Sequence, residues 1–542
     1  MTKPRLSPSS VLSTASLLAC ATLLTTACNG HPIKPVEFDG SSIKNTGLPL
    51  DVNKKVDVLL VIDNSGSMGE EQANLAANFG PFIAQLEAAG ADYRIGITTT
   101  DLGGKDCTSP ATGGSLQLSS CLDRPETFLF SGADQYEVAC AAHCELGDAD
   151  LSIVPTTVGS GGEELARPWI QSRSGVDNLP EEVDTLAAFQ CFAPQGISGC
   201  GWESPLEAMA RALDNMQDPA KPEFGFLRDD ALLAVLIVTD EVDCSLAPGM
   251  DAALFDADTF YAEGSNLLTS AACWNAGVAC AGESPFSDCW DVDRHADGAE
   301  TSDPSQAVLR PVSGYVEQLE AIAAGKAAGR EILVSVIAGV PAGYSTGEAE
   351  IFYADVDDTP MIEPDLFQQK FGIGAGCQNE VGGVVQTAVP PVRLKTVAEA
   401  FAGLSDEGHR NLYSVCDDDY TPAIVDIVSR LETELPPACF TGCALDLDDA
   451  TDELDYSCEV LQTIDGEQES MRECDSTASG PALPADVDVC WFAKTGADLH
   501  EQCVAQGRNL EFDLLRRPGV PVPDDLEVTA LCELDTLGNT CS

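Results

Sequence analysis

The chain has 542 residues, 44% of them hydrophobic, which is ample for a large core and more than one domain. Asp and Glu number 88 against 28 Lys and Arg, giving a formal charge of −60 that is spread along the length instead of gathered in a tail. So acidic a surface repels nucleic acid and anionic lipid headgroups, which makes both poor partners.

The first elements are those of export. Lys3 and Arg5 precede an apolar stretch from Val11 to Leu24, which ends at Thr25-Thr26-Ala27-Cys28-Asn29-Gly30. A short apolar stretch followed by a small residue and a Cys resembles a bacterial lipoprotein signal. The resemblance implies removal of residues 1–27, lipid attachment at Cys28 and a protein exported and lipid-anchored to the bacterial cell envelope. Asn29, in place of Asp, points to the outer membrane, periplasmic or surface-exposed. Thr25 departs from the pattern, which has Leu there; Leu17-Leu18-Ala19-Cys20 has the Leu but too short an apolar run before it. A plain secretory signal is the alternative. No later segment has the roughly 18 uninterrupted apolar residues of a membrane helix. Residues 28–52 carry Gly30, Pro32, Pro35, Gly40, Gly47 and Pro49 and read as a flexible tether.

From residue 53 strands and helices alternate. Val56–Ile62 is a near-continuous apolar run, as in a parallel strand buried on both faces, and it leads into Asp63-Asn64-Ser65-Gly66-Ser67-Met68. Leu75, Phe79, Phe82, Ile83 and Leu86 recur at helical spacing, and Gly80-Pro81 predicts a break among them. Tyr93–Thr99 is a second strand. Residues 101–200, rich in Gly, Ser, Asp and Cys, form an ordered insertion. Pro205 opens a helix with Leu206, Met209, Leu213 and Met216 on one face. Ala231–Thr239 is the most apolar strand and ends at Asp240. A second insertion near 244–305, a helix at 312–325, the strand Ile332–Ala338 and a third insertion near 340–395 follow. The strand Leu412–Val415 and a helix at 422–434 then lead to Pro436-Pro437, a boundary. This alternation predicts an α/β fold with a mostly parallel sheet and helices on both faces. Residues 437–542 read differently: eight Cys and period-two alternation at Asn509–Leu515 predict a small, disulfide-rich, mostly β C-terminal domain.

Cysteine counting agrees with export. Of 22 Cys, Cys20 leaves with the signal and Cys28 is the lipid anchor, and the other 20 fall in even numbers within each segment. Disulfides in an oxidising compartment are expected, confined within segments, with Cys377–Cys416 joining the third insertion to the last strand. No Cys-x2-Cys pair occurs and the five His are scattered, which argues against structural zinc.

Asp63-x-Ser65-x-Ser67 places one carboxylate and two hydroxyls at alternate positions after a buried strand. Hard oxygen ligands without His or Cys suit Mg2+. This stretch resembles the metal-ion-dependent adhesion site of the von Willebrand factor A-type (vWA) family. The resemblance covers the core pieces between 53 and 436 and none of the insertions. It implies a Rossmann-like vWA fold in which the serines bind the metal directly and the first Asp often acts through water. A Thr from a second loop and an Asp after a central strand complete the family's site. Asp240, in Val238-Thr239-Asp240-Glu241, matches that Asp. The second loop reads Gly201-Trp202-Glu203-Ser204-Pro205-Leu206, so Ser204 stands in for the Thr. Glu203 is the alternative ligand; its full charge would neutralise the ion more completely and weaken its pull on a partner. The implied cofactor is a divalent cation, Mg2+ first, with Mn2+ or Ca2+ also able to fill the site. The implied function is non-enzymatic: an envelope-anchored adhesion or binding protein whose metal engages an Asp or Glu of a protein partner.

Two other readings compete. One is a structural or assembly lipoprotein of the envelope that uses the vWA domain as scaffold. The other is a serine hydrolase through Ser345 in Gly343-Tyr344-Ser345-Thr346-Gly347. That elbow needs a strand running directly into the turn and a helix directly after, and Pro341 intervenes.

Overall fold

The computed structural model describes most of residues 47–542; outside it lie 1–46, 51–53 and short stretches including 158–162, 328–330, 357–363, 403–408 and 536–540. The signal segment, Cys28 and most of the expected tether therefore lie outside the described residues.

Seven strands form the principal sheet: β1 (Lys55–Ile62), β2 (Asp92–Thr99), β3 (Ile170–Arg173), β4 (Val176–Asp177), β5 (Leu232–Val238), β6 (Ile332–Ala338) and β7 (Leu412–Ser414). Their spatial order is β7-β6-β5-β1-β2-β3-β4. The strands from β7 to β2 are parallel. The edge is antiparallel, with β3 against β2 and β4 against β3. Among the described residues the helices that flank the sheet include α1 (Gly69–Asn78), α2 (Gly80–Ala88), α3 (Pro205–Gln217), α4 (Val312–Gly325), α5 (Val392–Ala400) and α6 (Thr421–Glu434).

Side chains alternate across a strand, so a run that is apolar at every position must be covered twice. In β1, Val56, Val58, Leu60 and Ile62 pack with Leu75, Phe79, Phe82 and Ile427 of α1, α2, α6 and the link between the first two helices. Leu59 and Val61 pack on the other face with Met209, Leu213, Tyr315 and Val397 of α3, α4 and α5. The break forecast at Gly80-Pro81 separates α1 from α2, with Pro81 in the first turn of α2. Phe79, between them, stacks on Phe189 at a centroid distance of 3.8 Å.

The first insertion supplies β3 and β4 of the principal sheet. One expectation is revised. The tether does not run free to residue 52: Leu48–Leu50 is a strand antiparallel to Val528–Ala530. The cause is Leu50, which is buried in an apolar cluster with Phe440, Val460, Trp491 and Phe512. Strands Leu48–Leu50, Cys458–Ile464, Glu467–Met471 and Glu527–Cys532 make one sheet, while Ala438–Cys439, Val489–Lys494 and Glu511–Arg516 make another.

All twenty cysteines from Cys107 onward are paired, in ten disulfides that stay within the expected segments. Cys377–Cys416 is among them. Among the described residues, no helix is long and apolar enough to cross a membrane.

Candidate metal centre

Parallel register brings the carboxyl ends of the central strands together. Ile62 of β1 lies opposite Val238 of β5 and Thr99 of β2. The ladder continues one step past the strands: Asp63 N donates to Val238 O at 2.9 Å, Thr239 N to Ile337 O at 3.1 Å and Thr100 N to Ile62 O at 3.3 Å. Asp63, Thr100, Thr239 and Asp240 thus emerge side by side at the edge where open α/β sheets bind ligands.

Four of the expected residues meet there. Asp63 is fully buried. Its Oδ1 accepts from Ser65 N at 2.8 Å and its Oδ2 from the Thr239 hydroxyl at 2.5 Å. Ser65 Oγ and Ser67 Oγ are 3.2 Å apart. Ser67 in turn is hydrogen-bonded to the Asp240 carboxylate. Ser65 and Asp240 are buried, whereas Ser67 is exposed. Ser204 stands beside this group without turning its hydroxyl to it: Ser204 Oγ donates to Trp202 O at 3.2 Å or Cys244 O at 3.1 Å. The second-loop side chain on which the charge of Asp63 bears is Glu203, fully buried and held by the Thr100 hydroxyl.

The electrostatics are one-sided. Five buried carboxylates, Asp63, Glu71, Glu203, Asp240 and Glu241, share the region. Burial, then Glu241, pushes Asp63 up to about 7. Burial, then Glu70 and Asp63, brings Glu71 to about 7. Burial followed by the charges of Asp63 and Glu241 raises Glu203 and Asp240 far above the usual carboxylate range. Lys370 Nζ, 3.5 Å from Glu241 Oε1, offsets one of these charges. Asn64 Oδ1, Glu71 Oε2, Glu203 Oε1 and Asp240 Oδ1 are buried acceptors with no donor. An unmatched buried acceptor costs about 1–3 kcal/mol, and more when charged. Orphaned hard oxygens beside serine hydroxyls fit a divalent cation. Among the described residues no three His, Cys, Asp or Glu gather closely enough to hold a metal as a group by themselves. The candidate set is a mixed one of carboxylates and hydroxyls.

Several participants were not legible beforehand. Thr239 fixes the Asp63 carboxylate, and Thr100 fixes Glu203. Gln72 of α1 ties the Asp63–Ser67 loop to the first insertion: its amide donates to Asp63 O at 2.7 Å and Gly196 O at 2.8 Å. Its oxygen accepts from the amides of Gln195 at 2.8 Å and Gly196 at 3.1 Å. Gln72→Leu would leave those main-chain groups unmatched, so urea unfolding is expected to show a loss of at least about 2 kcal/mol. The insertion also closes over the loop. A Cβ on Gly66 would collide with the Phe130 ring, and one on Gly199 would come within 2.6 Å of Asn64 O.

Ser345 lies in a run of turns, and no helix occurs between Glu348 and Asp355, so the strand–Ser–helix elbow is not formed.

No protein-family model matches the chain, and no curated protein matches it. Among solved structures it aligns with the pilus adhesin SpaC from Lactobacillus rhamnosus GG in its open conformation. The identity is 10% and the TM-score 0.26, over 89% of this chain and 39% of that one. A second SpaC structure gives 9% and 0.27, over 89% and 40%. The pilus adhesin RrgA from Streptococcus pneumoniae gives 9% and 0.26, over 91% and 58%. The chain spans about two-fifths of SpaC. TM-scores this low establish neither a shared fold nor a shared function.

Proposed function

We propose that the chain is an exported binding or adhesion protein built on a vWA-type domain. Its metal-ion-dependent adhesion site holds a divalent cation through Asp63, Ser65, Ser67 and Asp240, with the second loop at 203–204 closing the set. The observation that carries this reading is the convergence of two buried carboxylates and two hydroxyls at the carboxyl edge of parallel strands, with Asp240 Oδ1 lacking any donor. The cation would supply residual positive charge for an Asp or Glu of a protein partner. The chain's own residues do the positioning. Thr239 fixes Asp63, Gln72 fixes the loop backbone, and exposed Ser67 marks the side open to a partner. At contact, local attraction must overcome the acidic surface, whose field is screened beyond roughly 8 Å in physiological salt. A pull-down of envelope proteins with Mg2+ or Ca2+ against chelator tests this. Partners retained only with metal, and lost with Asp240→Asn, are expected; metal-independent retention would refute it.

The scaffold reading gains from the closure of the site, since the first insertion packs Phe130 over the metal loop. It predicts cation binding without any metal-dependent partner. Export is supported by the ten disulfides, which belong to oxidising compartments. For the anchor, Cys28→Ser is expected to abolish lipid labelling and retention in the membrane fraction. A lipidated Cys28→Ser protein would contradict it.

A further inference from the structure

We propose that the cleft between the principal-sheet domain and the C-terminal domain binds a short apolar peptide with free termini, its amine taken by Asp177 and its carboxylate by Arg516. This site is separate from the metal centre and does not depend on it. The cleft has a volume of about 580 Å³. Small-molecule sites span about 300–1,000 Å³ and occur preferentially at domain interfaces. Lys54 and Ala91, which immediately precede β1 and β2, line it, so it lies at the amino ends of those strands and away from the edge that carries Asp63. The ion pair of Lys54 Nζ with Asp513 Oδ1, 3.1 Å, joins the two domains among the lining residues.

The two walls differ in chemistry. The C-terminal domain contributes Phe492, Leu514, Leu515 and Leu526, all half-buried, and the apolar surface they keep favours an apolar ligand. The same wall carries Arg516, also half-buried. The principal-sheet domain contributes half-buried Asp177, with Asp184 and Glu87 beside it on that wall. Among the described residues no ion pair involves Arg516, Asp177, Asp184 or Glu87. The other charges nearby are committed. Asp488, whose charge bears on Arg516, lies 2.9 Å from Arg517 Nε, and Lys54 serves Asp513. Burial lowers the Arg516 guanidinium from its ordinary range. Burial, and beyond it the charge of Asp184, raises the Asp177 carboxyl, although one of its oxygens accepts from Leu179 N at 3.0 Å. Asp184 accepts from Ala187 N at 2.7 Å, and Glu87 takes the Tyr93 hydroxyl at 3.4 Å, so Asp177 is the acid freest for a ligand. A base on one wall and an acid on the other, each partly desolvated and unpaired, match a molecule that carries both charges. A simple amine would leave Arg516 unmatched, and a simple carboxylate would leave Asp177 so. A peptide of apolar residues supplies both charges and the apolar body.

The test is a calorimetric titration of the disulfide-intact protein, in chelator, with trileucine and with its N-acetyl and C-amide forms. Saturable binding of trileucine is expected, weakened about tenfold or more by blocking either terminus. Asp177→Asn should bind the N-acetyl form as well as the free peptide while still discriminating against the amide. Arg516→Gln should show the converse, and Arg516→Lys, which keeps the charge, should retain more of the binding than Arg516→Gln. Circular dichroism establishes that each variant is folded; if one is not, the blocked peptides on the parent protein decide. No saturable binding by the parent, or equal binding of free and blocked peptides, would overturn the inference. So would a folded Asp177→Asn or Arg516→Gln protein that discriminates among the three peptides as the parent does. Because the titration is run in chelator, its failure leaves the metal-centre reading standing.

Discussion

Asp240→Asn is expected to leave the protein folded and to abolish its stabilisation by divalent cations. The substitution keeps the side chain's shape and removes one of five carboxylates that repel one another in a buried space. Without a cation, that relief should leave the variant no less stable than the parent. With cation at a hundred times its dissociation constant, the parent should gain about 2.7 kcal/mol and the variant nothing. Thermal or urea unfolding with chelator and with added ion measures both differences. Asp63→Asn should behave alike, with an added loss from its bonds to Ser65 and Thr239. Ser67→Ala removes a neutral oxygen and should weaken binding less. A parent protein whose unfolding is indifferent to cations would contradict the prediction.

At the opposite edge of the sheet, Arg228→Ala is expected to destabilise the protein by about 3–5 kcal/mol. Arg228 Nε lies 2.8 Å from Asp57 Oδ1, and Nη1 lies 2.7 Å from Asp92 Oδ1. The Nη2 group donates to the main-chain oxygens of Val56 and Asp92, each at 3.1 Å. Both aspartates are buried near the amino ends of β1 and β2. Removing the guanidinium leaves Asp57 buried without its ion-pair partner and Asp92 with Arg173 3.9 Å away, and breaking such a buried network costs far more than its formation contributes. A lower urea midpoint with an unchanged slope is the expected signature. Cation affinity should not change, because the two edges of the sheet are separate. A loss under about 1 kcal/mol would show that water reaches the aspartates.

The central strands were legible because each had to be apolar at every position. Val56–Ile62 and Ile332–Ala338 read as strands for that reason, and Asp63 and Asp240 could be placed at one edge from the parallel order alone. The edge strands were not legible. Ile170–Arg173 and Val176–Asp177 are short and half polar, since a sheet edge has one unpaired side and needs no apolar run. Leu48–Leu50 is three residues long and finds its partner at the far end of the chain. Within the site, the choice between adjacent Glu203 and Ser204 lay beyond any motif. It depends on the path of the second loop, which is set by Thr100 and Cys244, both remote in sequence. Cysteine pairing could be confined to segments because each held an even number, but Cys377–Cys416 apart, the partners within a segment are a matter of three-dimensional proximity.

The most direct measurement is equilibrium dialysis of the purified, disulfide-intact protein against a divalent cation, with the bound ion counted per chain. A single site is expected, retained in Arg228→Ala and lost in both Asp63→Asn and Asp240→Asn. Binding that survives in both aspartate variants, or none in the parent, would contradict the assignment of a metal centre to the carboxyl edge of this sheet.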